Sequence, residues 1–300
     1  MQKKLAIATA LLSLIPLSIA YPSWAANVLK QVNQSGTLRV AVRQDTIPFG
    51  FKNDRGQWMG FSVDLVKRIQ VELEAELNKS IEIEWVEVDT QNRFQAIQEN
   101  QVDLDCGSNS FTWERDEIVD FSISYFSTGT QLLVPQQTKI GNPESLEDKR
   151  IGIIENTTNA EIIQKIQPNA EFIWVRDRVQ GLQQLEQGNI DALVSDGVLL
   201  EALRRTAKDP QAWRVTPSRP YSLESYACIL PENNSRWQSM INYSLVKYMQ
   251  GFLTDKPAEI AIFQRWFGTD GLLPYPRQAI YFHYQETLNS LQWLPENEWE

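Results

Sequence analysis

Residues 37–43 alternate, with Leu38, Val40 and Val42 on one side and Arg39 and Arg43 on the other. A period of two predicts a half-buried strand. Pro48-Phe49 and Asp54-Arg55-Gly56 then break the pattern and predict a hairpin-like loop. Over 60–79 the period lengthens. Phe61, Leu65, Ile69, Leu73 and Leu77 fall four apart, as on the buried stripe of an amphipathic helix. Ile81, Ile83 and Trp85 alternate as a second strand, 91–100 reads as a helix, and 102–106 as a third strand. Strand, helix, strand, helix, strand predicts an α/β domain on a mainly parallel sheet.

The pattern restarts beyond residue 150. Strands are predicted at 150–154, 172–175 and 190–194, with helices at 158–166, 179–187 and 197–206. The halves echo each other: Phe94-x-x-Ile97 followed by Val102-Asp103 matches Leu182-x-x-Leu185 followed by Ile190-Asp191. Ser108 lies six residues past Val102, and Asp196 six past Ile190, so each falls just beyond a strand's carboxyl end. Ligands of open α/β sheets bind at such ends. Two of them face to face predict an interdomain cleft. A chance likeness between two common helix–strand units is the alternative. Residues 131–135 leave the first domain and 225–230 return to it, which predicts a hinge of two crossing strands. Two more helices follow Asn234. The tail from Gln278, with Tyr281, Phe282, Tyr284, Leu288, Leu291 and Trp293, reads as an amphipathic helix covering the body, with partner binding as the alternative.

The amino terminus sets the expected compartment. Lys3-Lys4, an uncharged apolar run over 5–20 and Ser23-Trp24-Ala25 resemble a secretory signal peptide over 1–25. The apolar run is short for a bilayer span. No cysteine near the cut marks a lipoprotein. Loss of Lys3 and Lys4 takes the formal charge from −10 to −12. Such acidity disfavours nucleic acid and anionic lipid as partners. An anionic ligand is still allowed, because exposed charges are screened beyond about 8 Å. Two cysteines in an exported chain, Cys106 and Cys228, favour one disulfide used as a staple; two buried thiols are the alternative.

The lone histidine, His283, lies in the tail, so no histidine-based triad and no zinc cluster is expected at the cleft. No Gly-rich phosphate loop is present, and no metal or other cofactor is expected. A set suited to a zwitterion is present instead. Ser108-x-Ser110-x-Thr112-x-x-Arg115 places three hydroxyls before a helix start and a guanidinium in its first turn. Free helix N–H groups and a bidentate guanidinium both suit a carboxylate. Thr112 serves equally well as a helix cap. Asn156-Thr157-Thr158 opens another helix, as an anion site or as an ordinary cap. Asp196 can pair with an ammonium group or cap the helix from Gly197.

An ordered series of motifs adds to this. Gly36-Thr-Leu-Arg-Val-Ala-Val, Pro48-Phe49-Gly-Phe, Gly56-Gln-Trp-Met-Gly-Phe-Ser-Val-Asp64-Leu, Asn92-Arg93-Phe, Phe121-Ser122-x-x-Tyr125-Phe, Thr157-Thr158 and Asp191-Ala-Leu-Val-Ser-Asp196 stand in family order. Over about residues 34–270 the chain resembles the extracellular solute-binding proteins of polar amino acid ABC importers (family 3). The resemblance implies an α/β, two-lobed periplasmic binding protein fold (type II) with a two-strand hinge. Lobe 1 would comprise 34–130 plus 229–272, and lobe 2 131–228 with hinge strands at its ends. Residues 273–300 would form the helical tail.

By resemblance, Arg115 binds the ligand α-carboxylate with Ser110 and with Thr157 or Thr158, while Ser108 and Asp196 hold the α-ammonium. Asn156 replaces the family's usual glycine, which puts the carboxylate contact of the two threonines in doubt. Arg43, Thr90 and Arg93 resemble the glutamate/aspartate branch, and Arg178 matches a side-chain contact position that is histidine there. Surface solvation or an internal salt bridge is the alternative for Arg43 and Arg93. The expected function is a periplasmic, non-enzymatic, monomeric receptor for L-glutamate or L-aspartate that delivers its ligand to an inner-membrane permease. Extension to the amides, a broad polar amino acid receptor, and a dehydratase on the same fold are the alternatives.

Overall fold

The first helix is set by its ends. Asn27 accepts a hydrogen bond from the Lys30 amide at the start of α1 (Val28–Ser35), and Gly36 ends it with a left-handed φ of 76°. β1 (Thr37–Val42) follows, then the hairpin β2 (Phe51–Lys52) and β3 (Trp58–Met59). α2 (Phe61–Leu77) buries Phe61, Leu65, Ile69 and Leu73, the face its period predicts. β4 (Glu82–Glu87) lies parallel to β1. α3 (Arg93–Gln98) and the single turn α4 (Trp113–Asp116) lead to β5 (Asp120–Thr128). This is a computed structural model and describes residues 27–291; the expected signal peptide and Trp293 lie outside the described residues.

β6 (Thr130–Pro135), β7 (Arg150–Ile154), α5 (Thr158–Ile166), β8 (Glu171–Val175), α6 (Arg178–Glu186), β9 (Ala192–Asp196), α7 (Gly197–Thr206) and β10 (Trp213–Thr216) build the second lobe. Its five-stranded sheet runs β10-β6-β9-β7-β8, with β7 parallel to β8 and β9. β11 (Glu224–Leu230) returns and pairs antiparallel with β5. α8 (Ser235–Leu253), α9 (Pro257–Phe267) and α10 (Arg277–Asn289) then cover the first lobe.

Each lobe has its own apolar interior. In the first, Phe49 packs its ring against Phe126 at 4.9 Å and Tyr226 at 5.3 Å, and Phe61 against Phe267 at 5.2 Å. Each fully buried aromatic ring of this kind contributes about 2–3 kcal/mol. In the second, Leu132, Ile151, Ile153, Ile163 and Val194 fill one side of the sheet, and Leu133, Leu182, Leu193 and Leu200 the other.

The internal echo is structural. Asp103 accepts from the Arg39 Nε and Nη2 at 3.1 and 2.6 Å, and Asp191 from the Arg150 Nε and Nη2 at 3.2 and 2.8 Å. In both lobes an aspartate thus clamps the arginine that begins, or nearly begins, the lobe's first parallel strand, and its carboxylate also takes that arginine's backbone amide.

Three expectations change. Residues 102–106 form no continuous strand: single bridges join Leu104 to Val40 and Asp105 to Ile229 before the chain turns at Gly107. Asp105 causes that turn, since its Oδ1 accepts the Gly107 amide at 2.7 Å. Residues 225–230 do not cross between lobes, because β11 pairs with β5 from Glu224 onward. The crossings fall at Gly129 and just before Glu224, where a Cβ on Gly129 would meet the Ser222 carbonyl oxygen at 1.9 Å. In the tail helix, Ile280, Tyr284 and Leu288 are buried as a covering face, whereas Phe282 remains 55% exposed and Leu291 is exposed.

Candidate functional site

Strand ends and helix starts bring the candidate residues together. Arg43 follows β1, and Arg93 opens α3 beyond β4. Thr157 caps α5 and Thr158 begins it beyond β7. Arg178 begins α6 beyond β8, and Asp196 ends β9. Ser108, Ser110 and Arg115 arrive on the segment after the Leu104 and Asp105 bridges. Every predicted site residue except Thr90 lines one cavity, of about 10 Å³. That is about the room of one water, far below the roughly 300–1,000 Å³ of ligand sites. Thr90 lies behind it, where its carbonyl accepts from the Arg93 Nη1 at 3.3 Å. A larger open groove between α2 and α8 includes Glu72, Glu76 and Arg236, but Lys247 pairs with Glu72, and Arg236 with Glu76.

The four guanidiniums are in different states. Arg43 and Arg178 both bind Asp45, Arg43 with a closest contact of 2.8 Å and Arg178 at 2.6 Å. Among the described residues, Arg93 and Arg115 have no carboxylate partner. Arg115 donates to the Ser110 carbonyl at 2.8 Å and, across the cleft, to the Asn156 carbonyl at 3.2 Å. Arg93 makes only long bonds, and its buried Nε has none. Both stack on Phe94, 4.8 and 5.0 Å from the ring centroid. Burial, then the neighbouring charges of Arg43 and Arg115, press the Arg93 guanidinium far below its ordinary value; burial also lowers Arg115. Two desolvated cations this close favour an anion between them.

The hydroxyls are largely engaged by a carboxylate absent from the sequence-level set. Glu224 Oε2 accepts from Ser110 and Thr158, each at 2.5 Å, and its Oε1 from Thr130 at 2.8 Å and Asn159 at 3.1 Å. Thr157 is a cap: its hydroxyl accepts the Ala160 amide and donates to the Ile154 carbonyl. Thr112 likewise caps α4 through the Arg115 amide at 3.2 Å. Asp196 makes no side-chain cap; it faces the cavity and accepts from Asn159 at 3.3 Å. Burial, reinforced by Glu224, raises its carboxyl to about 6. Ser108 touches Arg43 at 3.5 Å. Cys106 and Cys228 are joined, fixing the segment before Ser108 to β11. No candidate metal cluster occurs among the described residues.

Asp45, Asn159 and Glu224 escaped the sequence analysis. Asp45 carries the look of a turn residue in Gln44-Asp45-Thr46, and Glu224 stands alone ahead of an apolar strand. Only Asn159, next to Thr157-Thr158, had a neighbour to signal it.

Residues 38–269 match the family model of the bacterial extracellular solute-binding proteins, family 3. The glutamate/aspartate import solute-binding protein of Escherichia coli (strain K12) is 26% identical over 248 residues, covering 81% of this chain and 80% of that protein. The glutamine-binding protein of Geobacillus stearothermophilus is 30% identical over 203 residues, covering 67% and 74%. An ancestral arginine-binding protein bound to glutamine superposes with a TM-score of 0.69 at 26% identity, covering 78% of this chain and 98% of that one. Two α/β lobes joined by two crossings, a cavity between them and a match across most of the described residues agree. The chain belongs to the bacterial extracellular solute-binding proteins of family 3.

Proposed function

We propose that this protein is a periplasmic receptor of an ABC importer that captures an acidic L-amino acid, glutamate or aspartate, and hands it to the permease. The observation that supports this most is the pair of buried Arg93 and half-buried Arg115, cations without salt-bridge carboxylates at one cavity. Arg115 takes the α-carboxylate, Asp196 the α-ammonium with Ser108 beside it, and Arg93 the distal carboxylate. Arg115 and Arg43 stand on the first lobe, Asp196 and Arg178 on the second. A ligand touching all of them stabilises the closed cleft by population shift.

A thermal-shift panel of the common amino acids, followed by calorimetry, tests this. Glutamate or aspartate is expected to raise the melting temperature most, because a ligand of the native state stabilises it. A shift with lysine or arginine alone ends the acidic assignment. One observation favours a second reading, an amide ligand such as glutamine: Asp45 already pairs with both Arg43 and Arg178 and offsets part of their charge.

The ammonium contact predicts a pH dependence. Asp196 in the empty site titrates at about 6, above its ordinary 3.8. Pairing with an ammonium requires the ionised carboxylate, so below that pH binding must expel a proton. Affinity is expected to fall up to about tenfold per pH unit below 6 and to level off above about 7. Calorimetry across about pH 5–7.5, in buffers of different ionisation heat, reads both the affinity and the released proton. Affinity constant across that range removes Asp196 from the ammonium site.

A further inference from the structure

At one end of the cavity the protein supplies a carboxylate of its own. Asp45 lies two residues past Arg43, on the loop after β1. It receives two parallel bonds from that guanidinium, Nε to Oδ1 at 3.0 Å and Nη2 to Oδ2 at 2.8 Å. From the second lobe, the Arg178 Nη1 donates to Asp45 Oδ2 at 2.6 Å and to its carbonyl at 3.3 Å. Arg178 is fixed from behind, its Nε donating to the Ser195 hydroxyl at 2.8 Å. Burial alone would raise the Asp45 carboxyl. The charges of Arg43 and Arg178 and the Arg43 hydrogen bond outweigh it and hold the group at about 2, so it is anionic at any physiological pH.

We propose that Asp45 is a specificity-determining residue, a tethered carboxylate that occupies the Arg43–Arg178 end of the site and limits its preference for acidic over amide side chains. The inference rests on the reading of this cavity as an amino acid site. With Asp45 present, a ligand's distal carboxylate has Arg93 as its free partner and meets the Asp45 charge nearby. To reach Arg43 and Arg178 it must turn Asp45 outward, and that side chain is 16% exposed, so a path to solvent exists. Both routes cost an acid more than a carboxamide, which carries no net charge. Without the Asp45 charge, two buried guanidiniums lose their partner and accept a ligand carboxylate in its place.

Glutamate and glutamine are titrated calorimetrically into the wild type, Asp45→Asn and Asp45→Ser. Asn keeps the shape of the side chain; Ser removes it and serves if the Asn variant does not fold. The ratio of glutamate to glutamine affinity is expected to rise about tenfold or more in the folded variants. A ratio within about twofold of wild type, or a lower one, overturns the inference. A wild type that binds glutamate with an unchanged ratio in the variants ends the role of Asp45 and leaves the acidic receptor standing. A wild type that takes only glutamine, with glutamate binding gained in Asp45→Asn, supports the role of Asp45 and ends the acidic assignment. Binding of neither ligand to any of the three proteins overturns both.

Discussion

Arg115→Ala is expected to weaken every amino acid ligand by about 10²- to 10³-fold. The reason is position and desolvation together. Arg115 projects from a one-turn helix held by the Thr112 cap, and its guanidinium is fixed by two carbonyls and the face of Phe94. Glu161, Glu224 and Asp196 act on its charge only from a distance and none forms a salt bridge with it, so a bound α-carboxylate would be its direct ionic partner. Truncating one partner of a buried, hydrogen-bonded ion pair costs about 2–5 kcal/mol, largely because the other charge is left unpaired. An α-carboxylate is common to all amino acids, so the loss should be similar for acidic, amide and basic ligands. Arg115→Lys should recover part of it, since a lysine restores charge without the planar fork. The melting temperature of the empty protein should change little, because Arg115 supports no apolar core. Loss confined to acidic ligands moves Arg115 to the side-chain end of the site. Wild-type affinity in Arg115→Ala removes it from the site.

The parts that were legible share one physical origin. Helix starts and strand ends expose backbone groups, so short polar residues and arginines concentrate there, and local sequence marks both. Ser108, Thr158 and Asp196 were visible for that reason, whereas Arg43 and Arg178 came only from the family resemblance. The echo between lobes was visible as apolar spacing, and the Asp103–Arg39 and Asp191–Arg150 clamps give it structural content. What failed depends on distant partners. The strand expected at 102–106 had the right alternation in Val102, Leu104 and Cys106, yet Asp103 and Asp105 are buried as well. Their targets, Arg39 and the Gly107 turn, break the ladder. Glu224 gains its place from Ser110, Thr130 and Thr158, residues between 66 and 114 positions away. Asp45 is read by Arg178 from 133 positions away. A single carboxylate in a loop carries no local signal of such pairing.

Replacing both cysteines, Cys106→Ala with Cys228→Ala, is expected to cost the fold about 4–5 kcal/mol and to lower the melting temperature by about 10–15 °C. The two are 122 residues apart in sequence, so the bond removes much loop-closure entropy from the unfolded chain. Alanine leaves two small apolar groups in a buried site, with Cys106 2% and Cys228 0% exposed, so no polar atom is stranded there. The effect should also reach the ligand site. Cys106 is followed directly by Gly107 and Ser108, and the segment is also held by the Tyr125 hydroxyl, placed to donate to the Cys106 or Gly107 carbonyl, and by backbone bonds that join Asp105 and Asn109 to β11. With one anchor lost, Ser108 and Ser110 should sample more positions, and affinity should fall by about threefold to tenfold, well short of the Arg115→Ala effect. Hydrogen exchange should localise the change to the first lobe, since both cysteines and β5 belong to it, while β7, β8 and β9 keep their protection. A melting temperature within about 2 °C of wild type means the bond closes no loop that the unfolded chain leaves open. In that case the staple acts on the site alone, and affinity would be the only quantity to move.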